Sequence, residues 1–395
     1  MIVMDNEILE SRKQLLNVLR NKKLGFGSLH LNKISENKIL SMFDCFLESG
    51  FCFFEAAPAY NNEYLFAKYL TARYDRNDYL LANKIPIRGS GEYSKTRFMD
   101  VFNDSLRECN VKYFDFYLLH NIGRKEYNRF KEIDCFEYLY ELKQKGLAKY
   151  IGFSFHDTSY VLEDILKKHH NKLDFVQLQI NYLDWDNPVI QSRKCLEVAA
   201  KYQLPVFAMT PLKGGMLLDI PKEARKILAY VSPGKSIASW AYRYAASLEN
   251  VVLVLSGMRT IADVTENIGL FSGFELINVA EYEAIDKVCV IIEKKRKVKC
   301  TECEYCLKAC NQNIPIPELI SLLNHKQLVS NLLYERITSD KGKASDCIKC
   351  RKCEAACPQK INVCNVLKRA EAKFENNPLR VIKRFIIKAL NNLKS

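Results

Sequence analysis

The chain contains no run of eighteen apolar residues, so no helical membrane span is expected. Its opening, Met-Ile-Val-Met-Asp-Asn-Glu, lacks a basic stretch followed by an apolar core, and no secretory signal is expected. No helix-turn-helix, zinc-finger or RNA-binding signature occurs, which leaves a nucleic-acid role unsupported despite a formal charge of +13. No G-x-G-x-x-G occurs either. Gly25-Phe-Gly27 is too short for the dinucleotide turn that a doubly wound open sheet would need. What remains is a chain of 395 residues, long enough for two or three domains. Its basic balance suits an anionic cofactor or an acidic redox partner.

Cysteine is the residue in surplus, at 15. Eight cysteines form two matched runs: Cys300-x2-Cys303-x2-Cys306-x3-Cys310, and Cys347-x2-Cys350-x2-Cys353-x3-Cys357-Pro358. The tight spacing lets one short loop present three thiolates to a cubic cluster, while the fourth cysteine reaches the other cluster. Cys300, Cys303, Cys306 and Cys357 are therefore assigned to one [4Fe–4S] centre, and Cys347, Cys350, Cys353 and Cys310 to the other. Zinc sites use paired C-x2-C elements rather than quartets with a matched x3 step. The other seven cysteines, Cys364 among them, are scattered and read mostly as small buried apolar residues. Thiolate-bound clusters fit a reducing cytoplasm.

The runs also echo each other beyond cysteine. Cys310-Asn-Gln-Asn-Ile-Pro parallels Cys357-Pro-Gln-Lys-Ile-Asn, with Asn311 standing in place of proline. Between them, residues 317–336 read as one or two inserted helices, opened by proline where a helix tolerates it.

Upstream, short apolar strands alternate with amphipathic helices. Candidate strands are Leu24–Leu29, Phe51–Glu55, Tyr79–Lys84, Phe114–His120, Lys149–Phe153, Phe175–Gln179, Pro205–Met209 and Val251–Leu255. Helices are expected between them, at Asn37–Ser49, Asn62–Tyr74, Ser94–Glu108, Glu132–Lys145 and Ser236–Ser247, and residues 1–20 read as an amphipathic helix. Eight strand–helix units predict a (β/α)8 TIM barrel, with the chemistry at the C-terminal ends of the strands. There the sequence offers Glu55, Tyr60, Lys84, His120, Ser154, His156, Gln177, Gln179 and Asn181. A lysine in such a pocket needs a carboxylate partner, and Glu55 is on the adjacent strand. Lys84 beside Tyr60 is expected to lower the phenol pKa, which suits a proton donor for a developing alkoxide, and His120 can bond the same oxygen.

These residues carry a family resemblance. Gly50-Phe-Cys-Phe-Phe-Glu-Ala-Ala-Pro-Ala-Tyr60 resembles the aldo-keto reductase segment G-x-x-F-F-D-T-A-x-x-Y. Leu81-Ala-Asn-Lys84, Tyr113-Phe-Asp-Phe-Tyr-Leu-Leu-His120 and Gly146-Leu-Ala-Lys-Tyr-Ile-Gly-Phe-Ser154 resemble its following strands. Pro211-Leu-Lys-Gly-Gly215 and Ser256-Gly-Met-Arg-Thr resemble its cofactor-side segments. With the C-terminal runs, the chain is similar to aldo-keto reductases carrying a fused 4Fe–4S domain. The resemblance implies that Tyr60 is the general acid, Lys84 its neighbour, His120 the carbonyl-orienting group and Glu55 the tetrad carboxylate. It implies NADP(H) binding by Gly25, Ser154, Gln177, Met209, Ser256, Gly257, Met258, Arg259, Glu266 and Asn267. Three positions depart from the family: Glu55 for aspartate, Phe155 for asparagine and Asn61 for glycine.

The expected organisation is a barrel over 1–290, a small α+β ferredoxin-like domain over 291–370 with added helices, and a basic amphipathic helix over 371–395. That last segment, Leu379–Leu393, could pack on the protein or touch an anionic membrane surface. The expected function is hydride transfer between NADPH and a small carbonyl or alcohol, with the clusters serving electron transfer to a redox protein or serving structure. The second reading is an iron–sulfur electron-transfer protein whose barrel is a docking or nucleotide-sensing platform. Nicotinamide delivers two electrons as hydride and each cluster takes one. No flavin motif bridges them, and the loops hold no code for the substrate.

Overall fold

The computed structural model of the protein describes residues 5–376 except 21, 87–93, 124–125, 129–132, 188–189, 296, 301–303, 325–333, 335–336 and 339–340. Cys303 and the expected helix Leu379–Leu393 lie outside the described residues. The chain divides into two compact units, Met1–Ile291 and Ile292–Ser395.

The first unit is a closed barrel of eight parallel strands in sequence order. They are β1 (Leu24–Gly27), β2 (Phe53–Glu55), β3 (Leu80–Pro86), β4 (Phe114–Ile122), β5 (Ala148–Phe155), β6 (Phe175–Gln179), β7 (Val206–Met209) and β8 (Val251–Ser256). Side chains alternate between the barrel interior and the helix layer, so residues two apart share a face. The inward row is aromatic near the strand starts: Phe53, Phe116, Tyr150, Phe175 and Phe207 fill it with Ala82, Leu253 and Leu255. Phe175 and Phe207 stack at 4.2 Å. The outward row packs on the helices in one large apolar layer, including Phe26, Phe54, Leu81, Tyr117, Ile151 and Val254. Gly152 marks a tight crossing, since a Cβ there would lie 2.5 Å from the Phe175 carbonyl oxygen on the neighbouring strand.

The helices start where polar caps satisfy their free N–H groups. Ser94 accepts from Arg97 N, Asp134 from Glu137 N and Ser236 from Ser239 N. The helix expected over Asn62–Tyr74 is an α-helical turn, Glu63–Phe66, continued by a π turn, Ala67–Thr71. The N-terminal helix, Asn6–Val18, sends Leu15 into the interior cluster together with Leu19. From that helix, buried Arg12 donates to the carbonyls of His170, Leu173, Tyr202 and Gln203. These carbonyls precede β6 and β7, so the helix closes the end of the barrel where strands begin. The opposite end is left for chemistry.

In the second unit the regular elements among the described residues are helices. Tyr305–Ala309 and Lys352–Ala355 each follow a cysteine loop, and Ile316–Asn324 packs with Val363–Phe374 over an apolar core of Ile320, Leu323, Val366, Leu367 and Phe374. Ile316–Asn324 supplies the start of the expected insertion; most of the rest lies outside the described residues. Gly342 seats the intervening chain on the loop after the first run: its N–H donates to Asn313 O at 3.1 Å, and a Cβ would lie 2.1 Å from Gln312 O, a distance no side chain permits.

Candidate functional site

The alternation that fills the barrel floor with aromatics puts polar groups two residues later on the same inward row. Phe53 leads to Glu55, Ala82 to Lys84, Leu118 to His120, Gly152 to Ser154, Phe175 to Gln177 and Phe207 to Met209. Tyr60 comes from the short turn after β2, Pro58–Tyr60. Asn61 ends that turn at φ 50°. This left-handed backbone favours glycine, and asparagine is among the side chains that tolerate it.

Lys84 is the centre of the mouth. Its Nζ lies 2.8 Å from Glu55 Oε2 and donates to Tyr60 Oη at 3.1 Å. Glu55 also accepts from Gln177 Nε2 at 2.9 Å, so the extra methylene relative to aspartate does not prevent the pairing. The His120 ring stands edge-on to Tyr60, with centroids 5.7 Å apart. Burial acts to lower the Lys84 pKa, but Glu55 and Tyr60 outweigh it and the ammonium is held above its ordinary value. Tyr60 corrects one expectation. Burial raises its pKa, Lys84 opposes and Glu55 adds, and the net shift is upward. The phenol is thus held protonated at neutral pH. His156, two residues beyond Ser154, is shifted the other way, to about 4, by desolvation and then by the Lys84 charge.

Beside this group, Ser154 Oγ accepts from Asn121 N at 2.7 Å and keeps its own proton to donate. Gln177 Oε1 is buried without a partner among the described residues. One hydroxyl donor and one orphaned amide oxygen on paired residues of β5 and β6 suit a carboxamide, which needs both an acceptor and a donor. Met209 is buried at the end of β7. Ser256, one residue off the inward row, turns to the helix layer: its Oγ is 2.6 Å from Tyr242 Oη and accepts from Asn267 Nδ2 at 2.9 Å. Gly257 and Arg259 are exposed beyond it, Met258 is buried and Glu266 is exposed on the helix Ile261–Ser272. That helix is closed by a capping box between Thr260 and Asp263, and Asp263 also takes the Arg259 N–H. Gly25 lies inside the barrel, where a Cβ would come within 2.8 Å of Leu255 and 3.0 Å of Phe53; the space serves packing, and Gly27 is the glycine beside Ser256 and Gly257.

The cysteines of the second unit line two separate concavities. Cys300, Cys306 and Cys357 face the first, with Pro317, Ile320 and Ile361. Cys310, Cys347, Cys350 and Cys353 face the second, with Ile314, Ile316 and Leu367. Among the described residues, no three histidine, cysteine or carboxylate side chains converge on a single-ion position. Four thiols spread around one cavity suit a polynuclear cluster better than zinc, which draws its ligands to one point. Cys364 was grouped with the scattered cysteines; it instead lines the second concavity, at the repeat position that Pro317 holds in the first.

A model of the aldo/keto reductase family matches residues 23–289. The chain belongs to the aldo/keto reductase family. It is an NAD(P)H-dependent oxidoreductase, and a 4Fe-4S dicluster domain matches residues 293–361. An uncharacterised oxidoreductase of Bacillus subtilis, YqkF, is 26% identical over 290 residues, 63% of this chain and 90% of that protein. Among solved structures, the holo form of aldo-keto reductase AKR11C1 from Bacillus halodurans has a TM-score of 0.54 at 23% identity, covering 67% of this chain and 91% of its own. An aldo-keto reductase from Klebsiella pneumoniae in complex with NADPH has a TM-score of 0.54 at 16% identity, covering 67% and 90%.

Three features of this aldo/keto reductase barrel escape a sequence reading. His30 feels the charges of Arg259 and Lys33, which with burial lower its pKa, so three basic groups gather where β1 and β8 end. Buried Asn62 ties β1 to the active-site turn by donating to Ser28 O and Oγ, and Ser28 Oγ donates to Glu55 O at 2.5 Å. Lys213 pairs with buried Asp184 across the loop after β7, where Thr210, Lys213, Gly214 and Gly215 all have positive φ. Arg259, Lys213 and the two glycines were legible in the sequence, but the contacts they make were not.

Proposed function

We propose that the barrel reduces a small aldehyde or ketone with NADPH, and that the eight cysteines of the two runs hold two [4Fe–4S] clusters. The observation that carries the first part is Lys84 Nζ bridging Glu55 and Tyr60 at the open end of the barrel. NADPH supplies a hydride to the carbonyl carbon. Tyr60 then donates its phenolic proton to the oxygen on which negative charge develops, and the Lys84 ammonium stabilises the phenolate left behind. Glu55 keeps Lys84 charged and in place. His120 steers the carbonyl oxygen toward Tyr60. Ser154 and Gln177 would hold the nicotinamide carboxamide, Met209 would contribute an apolar surface to the nicotinamide site, and Arg259 with His30 and Lys33 would form the basic rim for phosphate. That rim favours NADPH over NADH, as does the NADPH complex of the Klebsiella relative.

In the second unit, Cys300, Cys303, Cys306 and Cys357 would hold one cluster and Cys347, Cys350, Cys353 and Cys310 the other. Each cluster accepts a single electron. The experiment uses anaerobically purified, cluster-loaded protein with a panel of aldehydes and ketones, following NADPH loss and cluster absorption together. NADPH consumption that requires a carbonyl and disappears in Tyr60→Phe supports the reading. Carbonyl-dependent turnover unchanged in Tyr60→Phe overturns it.

A further inference from the structure

The two cysteine loops are sequence repeats of opposite charge. Cys300-Thr-Glu-Cys-Glu-Tyr-Cys306 aligns with Cys347-Ile-Lys-Cys-Arg-Lys-Cys353. Glu304 and Arg351 occupy the same position, both left-handed at φ 62° and 58°, and each opens the short helix that follows its loop. Each also lines the concavity of its own loop. The fold therefore accepts either sign there, and folding does not dictate the difference. The first loop carries the carboxylates Glu302 and Glu304, while the second carries Lys349, Arg351 and Lys352.

The second loop is open to water. Ile348 is 63% exposed, and Lys349, Cys350, Arg351 and Lys352 are exposed around it. The carboxylates that flank the loop in sequence are bonded to backbone N–H groups: Asp346 accepts from Lys343 N at 2.7 Å and Glu354 from Cys364 N at 2.9 Å. A large exposed aliphatic side chain followed in the same short loop by three exposed cations and an exposed cysteine of the run has the composition of a small contact surface with an apolar centre and a charged rim.

We propose that this loop is the docking port for an acidic one-electron carrier protein, which exchanges an electron with the centre held by Cys347, Cys350, Cys353 and Cys310. The proposal rests on the reading that these four cysteines hold a [4Fe–4S] cluster. Carboxylates around the carrier's redox group would meet Lys349, Arg351 and Lys352, and Ile348 would fill the apolar middle. A redox encounter needs little buried area, so a patch of this size suffices. One electron leaves the reduced carrier and converts [4Fe–4S]2+ to [4Fe–4S]+, with no bond made and no proton moved. Cationic surroundings favour the more negative, reduced cluster, so the second centre takes the electron first. Glu302 and Glu304 give the first loop the charge that repels the same carrier.

The test uses the full chain, purified without oxygen, its clusters verified by iron content and by the paramagnetic signal after dithionite. Reduced plant-type [2Fe–2S] ferredoxin, an acidic carrier, is mixed in by stopped flow and cluster bleaching is followed. The rate constant should fall steeply as salt rises, because screening weakens the attraction. At low salt, Lys349→Glu/Arg351→Glu/Lys352→Glu should lower it by about tenfold or more. The methyl viologen radical cation should reduce the same variant no more slowly than the parent, and Glu304→Lys should not slow the ferredoxin reaction. A salt-independent rate in the parent chain, or a charge-reversed variant within about twofold of it, overturns the proposal. Loaded protein that shows no cluster signal would instead sink the cluster reading on which it rests.

Discussion

Lys84 Nζ and Glu55 Oε2 are held 2.8 Å apart inside the barrel mouth, with both side chains almost wholly out of solvent. Removing one member leaves the other charged and unpaired. Lys84→Met should therefore destabilise the protein by about 3–5 kcal/mol as well as abolish turnover. Glu55→Gln/Lys84→Met should recover much of the stability and none of the activity. Urea unfolding of the three proteins, read beside carbonyl reduction, separates the two effects. A single variant as stable as the parent would mean the pair is not formed. Because the Lys84 pKa is raised, its contribution is fully present below the ordinary lysine value of 10.5 and is lost only as pH climbs through the higher folded value.

The upward shift of Tyr60 sets a pH profile. A proton donor works in its protonated form, so kcat/KM for carbonyl reduction should stay level through neutral pH with respect to this group. The fall should come only above the ordinary phenol value of 10. Tyr60→Phe should lose about 10²–10⁴ in rate, with NADPH affinity nearly unchanged. An alkaline limb near pH 7 would assign the acid to another group.

Gln177 is engaged on one side only. Its amide nitrogen serves Glu55, and its buried oxygen has no partner among the described residues. If that oxygen receives the nicotinamide carboxamide, Gln177→Leu should weaken NADPH binding by about 1–3 kcal/mol, measured by fluorescence titration of the free enzyme. Binding unchanged by this substitution would move the carboxamide elsewhere.

The reach of the sequence followed the period of its strands. The strands from Leu24 to Ser256 lie within a few residues of where apolar alternation puts them, and Glu55, Lys84, His120, Ser154 and Gln177 all fall on the inward row. Ser256 lies one residue off it, and only the register showed that its hydroxyl is spent on Tyr242 and Asn267. Gly25 entered through the family resemblance alone, and only the folded barrel shows that Leu255 and Phe53 fill the space a side chain there would need. The sign of the Tyr60 shift was beyond reach, since it depends on how far burial outweighs one cation. Cys364 had no rhythm of its own; only the folded repeat sets it opposite Pro317.

The C-terminal part of the barrel has an acid-sensitive anchor. Arg243 makes a two-pronged contact with Glu281, at 2.6 and 2.8 Å, and Ser232 and the Asn278 N–H also donate to that carboxylate. Desolvation acts to raise the Glu281 pKa, but these donors override it and hold it at about 2. A depressed carboxylate stabilises fully above its unfolded value of 4.5 and loses the contribution as pH falls toward 2. This one group is expected to supply about 3 kcal/mol of acid-dependent stability. Glu281→Gln should be less stable at pH 7, and its stability should fall less between pH 5 and pH 2. A parallel decline in both proteins would show that other carboxylates set the acid limit.

The crosswise grouping of the cysteines, expected from the spacing of the two runs, can be tested one residue at a time. Cys357 belongs to the second run yet faces the same space as Cys300 and Cys306, and Cys310 of the first run faces Cys347, Cys350 and Cys353. Serine is a poor substitute for a soft thiolate ligand, so each single variant should impair one centre and spare the other. Iron should drop from about eight per chain toward about four. The informative comparison is between variants. Cys357→Ser should leave the paramagnetic signal that Cys300→Ser leaves, and Cys310→Ser the signal that Cys350→Ser leaves. If Cys357→Ser instead resembles Cys350→Ser, each run closes its own centre and the crosswise arrangement is wrong. Cys364→Ser supplies the control for proximity: it lines the second space without belonging to either run, so it should shift that centre's signal and keep its iron.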